Sequence, residues 1–266
     1  MTTTPAQMLD APALYDERYR RGYRTELQGY EAARARAIGH ALRGHARPMG
    51  ARRVLDYGCG NGLFHATIRE ALPGIALSGC DVSAEALAQI ERMDPSVHTE
   101  LIRDDRSAFD DDSFDCITCI EVLEHVAHPD RTLREIARVL RPGGLLVATT
   151  PCANAGSLEH LVASVTRRID RSSTGERRWR WEDPTHLRRY TGAELRRDLH
   201  DSGFDRVRLR YRAHAMSYLC TPLCAGGRPP WCVRGGEWLM SLEYRLLRWL
   251  PCAASMVVIA RLGARP

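Results

Sequence analysis

The sequence predicts an α/β fold, a doubly wound and mostly parallel sheet of seven strands, and three observations carry that expectation. Apolar runs of strand length alternate with stretches of helical periodicity from the first strand near Val54 to Thr150. The run Val54-Leu55-Asp56-Tyr57-Gly58-Cys59-Gly60-Asn61-Gly62 ends a strand in an acid and turns through three alternating glycines. The next strand, Ile75 to Asp81, also ends in an acid. At 266 residues with 44% hydrophobic content, the chain can build one sizeable domain around a substantial core.

Met1 to Ala11 is small and polar, a terminus expected to fray. Tyr15, Tyr19 and Tyr23 recur every fourth residue among charged neighbours, which puts the rings on one helical face packed against the domain. Ala32 to Leu42 continues as an Ala- and Arg-rich helix, broken at Pro48-Met49-Gly50. After the glycine turn, a helix from Leu63 to Ala71 points its N-terminal amides back into the turn. Ser83 caps the next helix, with Leu87 and Ile90 inward, and His98 to Ile102 forms a short third strand that leads to Asp104 and Asp105.

Ser113 to Ile120 is almost continuously apolar, as a strand buried on both faces is. Pro129 opens a helix with Leu133, Ile136, Ala137 and Leu140 inward, and Arg141-Pro142-Gly143-Gly144 stops it before the fifth strand, Leu145 to Thr150. The pattern lapses from Pro151 to Pro184, an inserted segment after strand five. It resumes at Thr191-Gly192-Ala193-Glu194, a capping box. Phe204 to Tyr211 is the sixth strand. A helical connection, Gly236 to Leu250, carries Trp238, Leu239, Leu242, Leu246 and Trp249 on one stripe before the last strand, Ser255 to Arg261. The chain thus divides into an N-terminal helical region (1–50), a core (51–151), an Arg/Trp-rich insertion (152–190) and a C-terminal part (191–266).

Three glycines in five positions mark a backbone pressed against a ligand. The dinucleotide fingerprint G-x-G-x-x-G would require glycine at position 63, where this chain has Leu63. An acid at the tip of the second strand can accept both hydroxyls of a ribose, because a carboxylate offers two oxygens to a vicinal diol. The acid before G-x-G-x-G, together with Asp81, resembles the class I S-adenosylmethionine-dependent methyltransferases. The resemblance covers roughly residues 50 to 150 closely and 184 to 262 in outline. It implies a Rossmann-like sheet that binds S-adenosyl-L-methionine through Asp56, Gly58, Cys59, Gly60, Gly62, Asp81, Val82 and Glu121. It also implies an acid that accepts the adenine amine, Asp104 by preference or Asp105, and a lid role for the N-terminal helices.

Glu121, Glu124 and His125 stand at i, i+3 and i+4, which gathers them on one face if the turn is helical. This E-x-x-E-H after the fourth strand resembles the ubiquinone-pathway O-methyltransferases and the small-RNA 3'-terminal 2'-O-methyltransferases. The latter hold a metal with both acids, the His and a second, distant His, for which His186 is the natural counterpart here. The resemblance therefore implies His125 as a base with Glu124 and His186 near it, or a divalent metal (Mg, Mn or Zn) on Glu121, Glu124, His125 and His186. The expected activity is O-methylation of a small hydrophobic, lipid-like or secondary-metabolite acceptor. The alternatives are an RNA ribose methyltransferase and a non-catalytic nucleotide-binding sensor. Nucleic acid is the weaker partner, because the insertion lacks the H-x-D-H pattern of the RNA enzymes.

All 38 basic residues are arginine, and the formal charge is +5. Absence of lysine is what a coding bias toward GC-rich codons would give, and it lowers the weight of each Arg as a sign of phosphate recognition. The insertion mixes Arg167, Arg168, Arg171, Arg177, Arg178 and Arg180 with Trp179 and Trp181, a composition that fits a pocket roof or a peripheral membrane contact. The nine cysteines are odd in number and concentrate in or beside strands, where a free thiol packs as a small hydrophobe. Neither Cys116-x-x-Cys119 nor the group Cys220, Cys224, Cys232 and Cys252 has zinc-site spacing. Without a signal-peptide pattern or a spanning run, the expectation is a cytoplasmic protein, open to membrane association, of undetermined oligomeric state.

Overall fold

Five parallel strands form the heart of the molecule: β1 (Arg53–Tyr57), β2 (Ala76–Asp81), β3 (His98–Leu101), β4 (Phe114–Ile120) and β5 (Leu140–Pro151). Beyond β5 lie β9 (Ser255–Leu262), antiparallel to it, and β8 (Phe204–Arg212), giving the order β3-β2-β1-β4-β5-β9-β8. This computed structural model describes residues 11–23, 27, 29–154, 156–171, 177–179, 183–220, 224 and 228–264. The seven-stranded, mostly parallel α/β sheet expected from the sequence is present, with only β9 reversed.

Residues of period two divide the core between the two faces of the sheet. Val54, Leu77, Cys116, Val147 and Val257 face α2 (Tyr30–Ala41), α3 (His65–Ala71) and α4 (Ala84–Met93). Leu55, Ile117, Leu146 and Val258 face α5 (Pro129–Val139) and α7 (Gly192–Asp201). Every residue of β4 is buried, in keeping with its apolar run. Ser83 caps α4 by accepting the Ala86 N–H, and Thr191 and Glu194 form the reciprocal capping box of α7.

Several boundaries differ from expectation for local reasons. α3 begins at His65 rather than Leu63, because the glycine turn closes with the His65 N–H on the Gly62 carbonyl. β5 starts at Leu140, which pairs with Phe114. The Pro142-Gly143-Gly144 stretch is a register irregularity within the strand, with Gly143 at φ 74°, and does not interrupt it. α1 (Ala11–Arg20) ends before Tyr23, leaving two of the three tyrosines on the helix. The insertion contains α6 (Leu158–Val165) and a hairpin of β6 (Ile169–Arg171) with β7 (Arg177–Trp179). Arg180, Trp181 and the side chains of Arg171, Arg177, Arg178 and Trp179 lie outside the described residues, as do residues 1–10.

Past β8, α8 (Met216–Cys220) leads to α9 (Pro230–Leu247), which begins six positions earlier than expected because Pro230 fits the first helical turn. No described helix is long and apolar enough to cross a membrane. All nine thiols are free. Among the described residues, no cysteine belongs to a group placed to share a metal ion.

Candidate active site

β1 is flanked by β2 on one side and β4 on the other, so the chain reverses its winding there and opens a crevice beyond the carboxyl ends of the strands. Gly58 borders that crevice and Gly60 lies in the turn beside it, at φ 71° and 52°. A Cβ on Gly58 would collide with Val122 and one on Gly60 with the Tyr19 hydroxyl, so both conformation and space demand glycine. The Gly58 and Cys59 N–H groups both donate to the Cys80 carbonyl, at 2.7 and 3.0 Å, clamping the turn to β2.

Asp81 is the hub of this cradle. Its Oδ2 accepts the Gly60 N–H at 2.8 Å and its Oδ1 accepts the Ser83 N–H at 2.9 Å. A carboxylate has about four lone-pair sites, so these bonds and the one from the Val82 backbone leave capacity for a further donor. Burial pushes its pKa up to about 6, although the backbone bonds oppose that rise.

A cavity of about 250 Å³ fills the crevice, bordered on the strand side by Tyr57, Gly58, Asp81, Val82, Asp105 and Glu121. Not every expected residue reaches it. Asp56 lies beneath the turn, where Oδ1 accepts the Thr118 hydroxyl at 2.6 Å and Oδ2 stands 3.5 Å from His65 Nε2. The Cys59 side chain packs in the core against Gly79, and Gly62 is covered by His65. Of the neighbouring acids after β3, Asp105 borders the cavity and Asp104 does not. Both sit in left-handed backbone, at φ 62° and 51°, and this tight turn sets which acid faces inward.

Glu121 also departs from its expected company. Its backbone is left-handed at φ 53°, which takes it out of helical register with Glu124 and His125. Its Oε2 meets Arg34 Nη2 at 2.8 Å, both side chains being buried. Arg34 also pairs with Glu31 at 2.5 Å. The four-residue metal set therefore does not assemble. Glu124, His125 and His186 do meet, with ligating atoms all within 4.8 Å of one another, and the two imidazole rings stand 4.7 Å apart. Glu124 is fully buried and accepts the Thr150 hydroxyl at 3.2 Å.

His125 borders the cavity. Its Nδ1 lies 3.3 Å from the Thr185 carbonyl and 3.0 Å from Thr185 Oγ1, whose own hydrogen goes to Asp183 Oδ1 at 2.7 Å. A carbonyl only accepts, so the Nδ1–H tautomer is the one that satisfies this contact.

α1 lies across the cavity, with Leu14, Tyr15 and Tyr19 in its wall. It is fastened on both sides. Asp16 Oδ1 accepts the Ser83 hydroxyl at 2.6 Å and the Glu85 N–H at 3.0 Å, and Gln89 donates to the Tyr19 carbonyl at 3.1 Å. Opposite, Arg18 pairs with Asp183 and donates to Thr185 Oγ1 at 3.1 Å, while the Tyr23 hydroxyl reaches Asp183 at 3.2 Å. Burial opposes ionisation of Asp183, yet its bonds to Arg18 and Thr185 hold it well below the usual carboxylate range. Arg18, Arg34, Asp183 and Thr185 were not among the residues singled out from the sequence. Their long-range partners lie 60 to 167 positions away, beyond any local pattern. The Thr185 N–H to Asp183 Oδ1 turn, at 3.0 Å, and the i,i+3 pair of Arg34 with Glu31 have local signatures.

Residues 15–209 match the methyltransferase domain family. The ubiquinone biosynthesis O-methyltransferase of Thiobacillus denitrificans is 36% identical over 117 residues, 41% of this chain and 49% of that protein. That of Ralstonia nicotianae is 34% identical over 113 residues, 41% and 47% of the two chains. The chain thus spans about half the length of these curated relatives. Among solved structures, the cyclase SpnF is similar with a TM-score of 0.63 at 20% identity, covering 100% of this chain and 98% of its own. A geranyl diphosphate methyltransferase in complex with GPP and sinefungin gives 0.55 at 18% identity, over 87% and 78%. At such identities the structural likeness establishes the fold.

Proposed function

The chain belongs to the class I S-adenosylmethionine-dependent methyltransferases, and from that premise we propose that it methylates an oxygen of a small hydrophobic acceptor, with His125 as the base. The cofactor supplies a methyl group already activated on a sulfonium, leaving the protein to align the acceptor and take its proton. The cradle fits such a group: the Gly58 backbone borders the cavity, and Asp81 faces it with capacity left for a hydroxyl of the ribose diol. Asp105 would accept the adenine amine, and Val82 would pack beside the base.

The observation that carries the acceptor reading is His125 itself. It borders the cavity together with Leu14, Tyr15, Val126, Leu187 and Thr185, and with Nδ1 protonated toward Thr185 its Nε2 would serve as the base. An apolar acceptor would be excluded from water there while its hydroxyl faces a proton acceptor. The names of the curated relatives, which specify O-methylation, support the same atom.

The test is incubation of the protein and S-adenosylmethionine with hydrophobic phenols, the matching anilines and a short RNA, read by mass spectrometry. The expected product is a methyl ether from the phenols, with His125→Ala lowering kcat by about 10²–10⁴-fold and leaving cofactor affinity intact. Methylation of the aniline or RNA alone would overturn the reading. A divalent ion on Glu124, His125 and His186 is a second reading of that cluster, in which the ion would acidify the acceptor hydroxyl. Equal activity in chelator and in added Mn would remove it.

A further inference from the structure

Two helices near the cofactor end of the sheet are built with their acids inward and their apolar stripes outward. On α9, Trp231, Trp238 and Leu246 are 72%, 61% and 65% exposed, whereas Glu237 and Glu243 are buried. Those acids fix the helix in this orientation. Glu237 pairs with Arg36 at 2.6 Å, and Glu243 accepts the N–H groups of His214, Ala215 and Met216 at 3.1, 2.7 and 2.6 Å, ahead of and into α8. The ordinary surface helix does the opposite, turning its apolar stripe to the core.

α6 repeats the arrangement. Glu159 is buried against Arg189 at 2.6 Å, while Leu161, Val162 and Val165 are exposed. α8 connects the two helices: Met216 and Cys220 pack with Met240 of α9, and the Tyr218 hydroxyl bonds to Glu159 of α6. α6 leaves the carboxyl end of β5, α8 follows that of β8, and α9 ends at Arg248, whose carbonyl accepts the Tyr211 N–H. Exposed apolar side chains grouped along one side of a helix mark a surface that meets another apolar phase.

We propose that this face docks on an anionic lipid bilayer, with α9 lying in the plane of the headgroups. Both acids of α9 point into the protein, so the only charges on its exposed side are Arg234 and Arg245, beside the Trp stripe. Trp with flanking Arg suits the boundary between headgroups and acyl chains, where the ring is buried and the guanidinium meets lipid phosphate. A second copy joined by twofold symmetry would instead set these arginines near their own counterparts. The docking surface does not depend on the methyl-transfer reading, although it would bring the cavity to a lipid-soluble acceptor.

The experiment is co-sedimentation of the full chain with vesicles of phosphatidylcholine alone or mixed with phosphatidylglycerol, beside a Trp231→Gln/Trp238→Gln variant and a Leu161→Gln/Val165→Gln variant. Expected is binding to the phosphatidylglycerol vesicles, weaker binding to phosphatidylcholine, and a loss of about tenfold or more in each variant with unchanged circular dichroism and Tm. Absence of binding by the wild type, or undiminished binding by both variants, overturns the proposal. So does a dimer in analytical ultracentrifugation that the Trp variant dissociates, since a second copy would then cover the stripe.

Discussion

Asp81 uses one carboxylate for two purposes, holding Gly60 and Ser83 and facing the cavity. Its pKa is raised by burial to about 6, above the usual range. Raised means that the folded state disfavours the ionised form, so stability contributed by this group declines as pH climbs toward 6. The diol requires the ionised form. Affinity for S-adenosylhomocysteine is therefore expected to fall as pH drops below about 6, and Asp81→Asn to bind weakly with a flat pH profile; titrations across that window check both. Arg34 and Glu121 make a different residue-scale statement. Arg34→Met leaves Glu121 buried without its cation and should cost about 3–5 kcal/mol in urea unfolding, with Glu121→Gln in the same chain recovering part of it. Asp81 was legible because a strand-end acid has a fixed place in the pattern. The Arg34–Glu121 pair was not, since 87 positions separate its members. The choice between Asp104 and Asp105 turned on a left-handed turn that composition does not encode.

At the scale of elements, local signals held where one side chain closes a local bond. Thr191 and Glu194 specify the start of α7, and Thr191→Ala should cost about 1 kcal/mol in thermal unfolding. Periodicity told less about direction. The α9 stripe has helical spacing whether it faces the core or water, and the contacts of Glu237 and Glu243 decide that it faces out. The tyrosines of α1 read equally as packing and as a cover, and the structure places Tyr15 and Tyr19 in the cavity wall. Because Arg18 holds one side of α1 to Asp183 and Thr185, Arg18→Ala should speed amide exchange in α1. It should also lower kcat, since Thr185 orients His125, and a variant with unchanged exchange and turnover would contradict this coupling.

Over the whole molecule, the doubly wound and mostly parallel sheet was readable because alternation of apolar runs and helices leaves few topologies. The winding reversal at β1 then fixes where a ligand can sit, and Gly58, Asp81, Asp105 and Glu121 converge there. What the sequence left open is assembled by residues distant in the chain: the α1 clasp, the contact of His125 Nδ1 with Thr185, and the separation of Glu121 from Glu124 and His186. The account depends on one claim, that this crevice holds S-adenosylmethionine through Asp81. Its most direct test is calorimetric titration of the full chain and of Asp81→Ala with S-adenosylhomocysteine, circular dichroism confirming that both are folded. The account predicts saturable binding to the wild type and no measurable binding to the variant; a wild type that does not bind, or a variant of equal affinity, would contradict it.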